Sequence, residues 1–277
     1  MITGPNSSGS IPQDTSKQAL FMKQHRLHHR QIGLVRILLM AGFLLLWEYS
    51  SRTGIIDAFF FSSPSQLVLL FWKLCADGSL FCHAAITLLE TLISFSLVFL
   101  ISLICATVLW YFPKVSEILE PYLVVLNSLP KSALAPLFIV WLGTGMTTII
   151  VAGISVAVFG SIISFYTAFR RCDPEKINLI YTLGGTKRDC YRKIVLPSSV
   201  PLLLSTTKVN IGLALVGVII GEFLAARKGL GYLIIYGSQV FQLNLVILNI
   251  LLLCLIAMGL YKVIQILEHR IRKKMQL

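Results

Sequence analysis

Apolar residues fall in long unbroken runs separated by short polar stretches, without the period-two alternation of a half-buried strand. Six runs, at roughly 34–50, 84–111, 121–142, 147–169, 199–221 and 244–266, approach or exceed the roughly 20 residues a helix needs to cross a hydrocarbon core of about 30 Å. Backbone groups in lipid must pair within their own segment or in a closed barrel, so continuous apolar runs predict helices. The pattern predicts an all-α, polytopic membrane protein with six transmembrane helices. A shorter run, Leu67 to Leu74, follows a helix-start signal in which Ser63 caps, Pro64 fills the first turn and Gln66 completes a capping box. It is expected to lie along the outward membrane surface. Trp47, Tyr49, Phe59, Phe60, Phe61 and Trp72 surround it, as amphipathic rings do at that boundary.

The polar stretches set the orientation. Basic residues gather in the head (Lys17, Lys23, Arg26, Arg30, Arg36), in a central loop (Arg170, Arg171, Lys176, Lys187, Arg188, Arg192, Lys193) and in the tail (Lys262, Arg270, Arg272, Lys273, Lys274). With six spans these clusters share one side, which the positive-inside bias makes cytoplasmic, together with both termini and a turn at 112–120. Composition agrees: the 277 residues are 56% hydrophobic and 13% charged, with a mean hydropathy of +0.81. The formal charge of +12 therefore flanks spans and builds no nucleic-acid face. Residues 1–31 form a polar cytoplasmic tail, expected to be disordered and lacking a cleavage site, and 32–277 form one membrane domain. The six cysteines have neither CxxC pairs nor histidines at ligand spacing, so no metal site is expected. Cys75 and Cys82 are a candidate disulfide only if their loop faces an oxidising compartment.

The loop at 170–196 is longer than a connector needs to be. Asp173 and Pro174 start a helix that carries Ile177, Ile180, Tyr181 and Leu183 largely on one side, and Gly184 and Gly185 stop it. Thr186 and Asp189 restart a helix toward the membrane, and Pro197 marks the next break. Two short helices hinged at a glycine pair present a surface suited to a partner's groove.

The stretches Thr182-Leu183-Gly184-Gly185, Lys193-Ile194-Val195-Leu196-Pro197 and Pro201 resemble the "EAA" loop of binding-protein-dependent ABC importer permeases. Pro130 to Leu137, Trp141-Leu142-Gly143, Gly221-Glu222 and Gly229 to Ile234 resemble its nitrate, sulfonate, taurine and bicarbonate branch, and the likeness covers roughly residues 60–266. Two departures stand out: Asn178-Leu179-Ile180 replaces Glu-Ala-Ala, and Gly185 stands where alanine is commoner. The resemblance implies a type I, MetI-like permease fold in a bacterial inner membrane. It also implies an ATPase-coupling role for Asn178, Tyr181, Gly184, Gly185, Thr186, Leu196 and Pro197. Its implied partners are a cytoplasmic ABC ATPase dimer, a second permease chain forming a homodimer, an external solute-binding protein and membrane lipid, with no nucleic acid. No cofactor is expected on this chain, since ATP and magnesium belong to the ATPase. The branch carries small anionic or heterocyclic solutes.

Charges within spans require a partner or a water-filled path. Lys131 follows Pro130 in a span that Pro136 is also expected to break, so it either draws an anionic solute or pairs with a carboxylate such as Glu120. Lys208 either lines the path or snorkels to the interface. Glu222 either shapes an outer gate or hydrogen-bonds a neighbouring helix end, and Glu90 is similar. Asn210, Gly212, Ala214 and Gly217 are expected to allow close helix packing. An ion-coupled transporter would want acidic pairs at mid-membrane and an enzyme a nucleophile and base, and neither pattern is present. Without a GxxxxGK[ST] loop, the chain relies on another for ATP hydrolysis.

Overall fold

The computed structural model describes residues 13–274, and all regular structure among them is helical. The chain divides into two compact units, Met1–Gln66 and Leu67–Leu277.

In the first unit, α1 (Gln13–Arg52) holds the first apolar run and α2 (Ala58–Phe61) is a single turn. Residues 1–12 of the expected tail lie outside the described residues. The rest of it is helix continuous with the span, running through Gly33 at their junction without a break. The end of α1 holds residues 61–65 in place. The Trp47 indole N–H donates to the Phe61 carbonyl, and the Glu48 carboxylate accepts from the Ser65 amide at 3.1 Å, the Ser65 hydroxyl at 2.9 Å and Arg52 Nε at 2.6 Å. The Ser63 hydroxyl accepts from the Gln66 amide, as expected for the start of α3 (Pro64–Ala76).

The second unit is a helix bundle. Its elements are α4 (Ser79–Tyr111), α5 (Pro113–Ser128), α6 (Lys131–Leu142), α7 (Met146–Arg170), α8 (Pro174–Thr182), α9 (Lys187–Cys190), a π-helical turn (Tyr191–Val195), α10 (Leu196–Ala225), α11 (Leu230–Gln239) and α12 (Leu243–Lys274). Helix α7 is its axis. The Ser94 hydroxyl donates to the Ile150 carbonyl and the Ser102 hydroxyl to the Val158 carbonyl, so α4 and α7 run parallel at a constant offset. Helix α10 runs the other way, with Ser199 on Ala168 and Asn210 on Ser161 at 2.6 Å. A Cβ on Gly217 would lie 2.8 Å from the Ala152 carbonyl oxygen, so this close crossing depends on a missing side chain. Lipid offers apolar groups no advantage over protein, so such contacts and buried hydroxyls, at about 0.6 kcal/mol per bond, hold the bundle.

The third expected span is corrected. It is not one helix over 121–142 but two, α5 and α6, bent by 94° at residues 129–130. The expected turn at 112–120 is mostly the start of α5, because Pro113 suits a first helical turn. Pro130 forces its predecessor Leu129 out of helical geometry, to φ −60° and ψ 140°. Pro136, expected to break the span, lies within α6 without interrupting it. Because α4 and α7 run parallel, the bent pair must travel from one end of the bundle to the other, so it makes one crossing. Counting that pair as one, the described residues hold six candidate membrane spans.

Candidate functional site

The loop between α7 and α10 folds from strong local signals. The Asp173 carboxylate accepts from the Glu175 amide at 2.9 Å and caps α8. Gly184 closes the helix at φ +78°, where only glycine is unstrained, and its amide donates to the Tyr181 carbonyl. Gly185 donates to the Ile180 carbonyl at 2.8 Å, and a Cβ there would lie 2.4 Å from the Ile180 side chain and 2.9 Å from that carbonyl oxygen. Thr186 and Asp189 then form a reciprocal capping box for α9.

Two sequence expectations change here. The apolar residues of α8 share one face only in part: Ile177 packs against the buried cluster that includes Phe165, Phe169 and Val195, Ile180 is half-buried, and the Tyr181 phenol reaches the buried Cys190 thiol while its ring stays exposed, whereas Leu183 is 74% exposed. Leu179, one turn before Leu183, is 57% exposed, and Asn178 is exposed beside it. Nor does Pro197 break the chain. It occupies the first turn of α10, and the π turn before it, in which the Leu196 amide reaches the Tyr191 carbonyl, widens the helix around the missing donor. Helix therefore continues from α9 into the membrane as one lever, Lys187 to Ala225.

Sequence reasoning missed what holds the base of this lever. Lys187 Nζ donates to the Tyr111 carbonyl at 2.7 Å, at the last turn of α4, and lies 5.5 Å from the Trp110 ring centre. The Tyr191 hydroxyl meets Thr107 Oγ1 at 2.6 Å, and its ring touches Trp110, Tyr111 and Phe169. A Trp-Tyr pair ending a span was the visible signal. The Tyr181 phenol is pushed above its usual pKa by desolvation, then by the nearby Cys190 thiol.

The path candidates separate into three places. Lys131 sits at the bend, and its amine donates to the Asn127 carbonyl that the Pro130 break leaves free, rather than to Glu120. Lys208 pairs with Glu268 of α12 at 2.5 Å, and Glu268 also accepts from Arg272 at 2.9 Å. Glu222 lies fourteen positions further along α10, about 21 Å by helical rise. There it caps α11. Gly231 N–H donates to Glu222 Oε2 at 2.6 Å, Leu230 N–H to Thr87 Oγ1 at 2.8 Å and Gly229 N–H to His83 Nδ1 at 2.9 Å, while the Thr87 hydroxyl donates to Glu222 Oε1 at 2.6 Å. Glu90 contacts Glu222, and its Oε2 is buried without a hydrogen-bond partner. All six cysteines are free, so Cys75 and Cys82 are unpaired.

Helices long and apolar enough to cross a membrane, joined at one end by a capped two-helix loop, define a multi-pass membrane protein. The chain belongs to the family of binding-protein-dependent transport system inner membrane components, which it matches over residues 98–273. It is 30% identical to a Haemophilus influenzae protein named as an ABC transporter permease, over 87% of this chain and 98% of that one. It is 25% identical to a Bacillus subtilis protein named as the aliphatic sulfonates transport permease SsuC, over 96% of each. An inward-facing structure of the MetNI methionine ABC transporter superposes with a TM-score of 0.61 at 21% identity, covering 71% of this chain and 95% of that one. The chain is thus the inner-membrane permease subunit of an ABC importer, with the MetI-like fold, and ATP hydrolysis belongs to a separate subunit.

Proposed function

We propose that this chain, as a homodimer, forms the translocation path for a small anionic or heterocyclic solute delivered by an external binding protein, and that α8 with the Gly184-Gly185 hinge couples it to a cytoplasmic ATPase dimer. The observation that carries this reading is the outward exposure of Leu179, Tyr181 and Leu183 on a loop that is otherwise tightly capped. Apolar side chains so displayed on a rigid support fit a partner's groove. Asn178, Thr186, Leu196 and Pro197 extend the same element into α10, and ATP and magnesium stay on the ATPase. The path follows the bend at Pro130 and Lys131 and the α6 face carrying Pro136, where the Lys131 ammonium favours an anion. Lys208 and Glu222 act at its borders through their helix contacts. The sulfonate lean is supported by SsuC and by the taurine permease TauC of Escherichia coli, 23% identical, and the heterocyclic alternative by the formylaminopyrimidine permease ThiX of Halalkalibacterium halodurans, 28% identical. Both termini face the cytoplasm in this reading.

Binding-protein-stimulated ATP hydrolysis by the reconstituted importer tests the solute: taurine or an alkanesulfonate is expected to stimulate, and stimulation by neutral solutes alone would remove the anion assignment. Topology is tested with single cysteines in a cysteine-free chain. Arg188→Cys is expected to react with an impermeant maleimide only after permeabilisation, and Asp77→Cys in intact cells. The reverse pattern inverts the orientation.

Lys187 gives a separate test of the lever. Lys187→Met keeps the apolar stem but removes the bond to Tyr111 and the contact over Trp110, about 2 kcal/mol together. ATPase copurification is expected to persist while solute moved per ATP falls several-fold. An unchanged ratio would show that the clamp does not transmit motion.

A further inference from the structure

Gly212 departs from the packing expected of it. A Cβ at this position would meet nothing within 4 Å, unlike one at Gly217 five residues later. The space belongs to a cavity of about 370 Å³ between α10 and α12, lined by Ile211, Gly212, Leu215, Ala257, Met258 and Tyr261, and almost wholly apolar apart from Lys208 at its end. Lys208 also lines a second, polar cavity of about 620 Å³ that carries Gln265, Glu268, His269, Arg270 and Arg272. The two adjoin at that lysine, which lines both. Three cations, Lys208, Arg270 and Arg272, face one carboxylate, Glu268, so the polar cavity keeps an excess of two positive charges with histidine neutral. Glu268 already engages Lys208 and Arg272, whereas Arg270 has no ion-pair partner among the described residues.

An oily slot that shares a lysine with a cationic basin at the end of a membrane helix matches one kind of molecule in charge and polarity. We propose that α10 and α12 hold an anionic phospholipid, its acyl chain along Gly212 and Met258 and its phosphate against Arg270 and the Lys208–Glu268–Arg272 cluster. The acyl chain fills the side-chain-free space at Gly212, and the phosphate supplies the counter-charge that Glu268 alone does not. Neither half explains the other's presence: a free anion has no use for the slot, and a neutral lipid none for the basin. Lipid in this place ties α12 to the lever helix α10 at the ion pair joining them, independently of the coupling role proposed for α8.

Native mass spectrometry of the importer complex, released from vesicles of equal phosphatidylcholine and phosphatidylglycerol, tests this. Wild type is expected to retain phosphatidylglycerol in preference to phosphatidylcholine. Arg270→Gln is expected to lower that preference about fivefold, the equivalent of about 1 kcal/mol per basic residue near an anionic headgroup. Gly212→Leu puts a side chain into the slot at a position where its Cβ meets nothing within 4 Å, and it is expected to lower total retained lipid several-fold, with ATPase copurification reporting that the fold survives. Equal retention of both lipids by wild type overturns the proposal without touching the coupling reading. So does loss in Arg270→Gln with none in Gly212→Leu, which would mean only surface attraction of headgroups. Protection of Gly212→Cys, in an otherwise cysteine-free chain, by millimolar inorganic phosphate in lipid-free detergent would reassign the basin to a free anion and also overturn it.

Discussion

Gly184→Val is expected to abolish transport while leaving the chain inserted in the membrane. Gly184 sits at φ +78°, where a β-branched residue is strained by about 1–3 kcal/mol, and no neighbouring atom offers compensation because the space around its absent Cβ is empty. The strain has nowhere to go except into α8. Relieving it means unwinding the last turn, which carries Tyr181 and Leu183, two of the exposed residues assigned to the ATPase contact. The turn is not itself part of a membrane-crossing helix, so expression and detergent extraction should match wild type. ATPase copurification should fall at least tenfold, which a loss of about 1.4 kcal/mol in docking suffices to produce. Full copurification with normal solute-stimulated hydrolysis would remove α8 from the coupling role. Gly184→Asn is the control, since asparagine tolerates the left-handed region, and it should retain much of the activity.

That loop was legible in the sequence because each of its signals is local. Asp173, Thr186 and Asp189 satisfy amides two or three residues away, and Gly184 answers to its own backbone angle, so no distant contact decides the outcome. The third span shows the opposite case. Hydropathy is continuous across Pro130, and the proline marks a break but not its size. The 94° bend also depends on where the flanking helices pack, with the Asn127 side chain of α5 against Gly160 of α7. At Pro197 the local rule failed outright, because a π turn absorbed the missing donor. The partners of the span charges were beyond reach for a simpler reason: Lys208 meets a carboxylate sixty residues away, and Glu222 meets a hydroxyl at a separation of 135. Chemistry-bearing residues could be singled out, but their roles depend on helix register that apolar runs do not encode.

Glu222 is where that difference yields the second large effect. Its carboxylate, Thr87 and His83 together receive the amides of Gly229, Leu230 and Gly231, so the start of α11 is capped by side chains from two other helices. These amides are the orphan donors of a helix start, and at a site this buried water does not replace a lost acceptor. Glu222→Leu keeps the volume but leaves the Gly231 amide without its acceptor and the Thr87 hydroxyl without its Glu222 bond. At about 1–3 kcal/mol for each unsatisfied buried group, this is a large part of the stability of a single bundle. The purified complex should melt several degrees lower, and α11 should become susceptible to protease first. Gly231→Ala approaches the same lock from the other side, because its Cβ would lie 2.7 Å from Glu222 Oε2 and push the carboxylate away. Since both changes break one set of bonds, the double variant should be little worse than the single ones, and a fully additive loss would mean that Glu222 and Gly231 act independently. A carboxylate that instead served only the solute path would show the opposite pattern, with unchanged melting and a higher solute concentration needed for uptake.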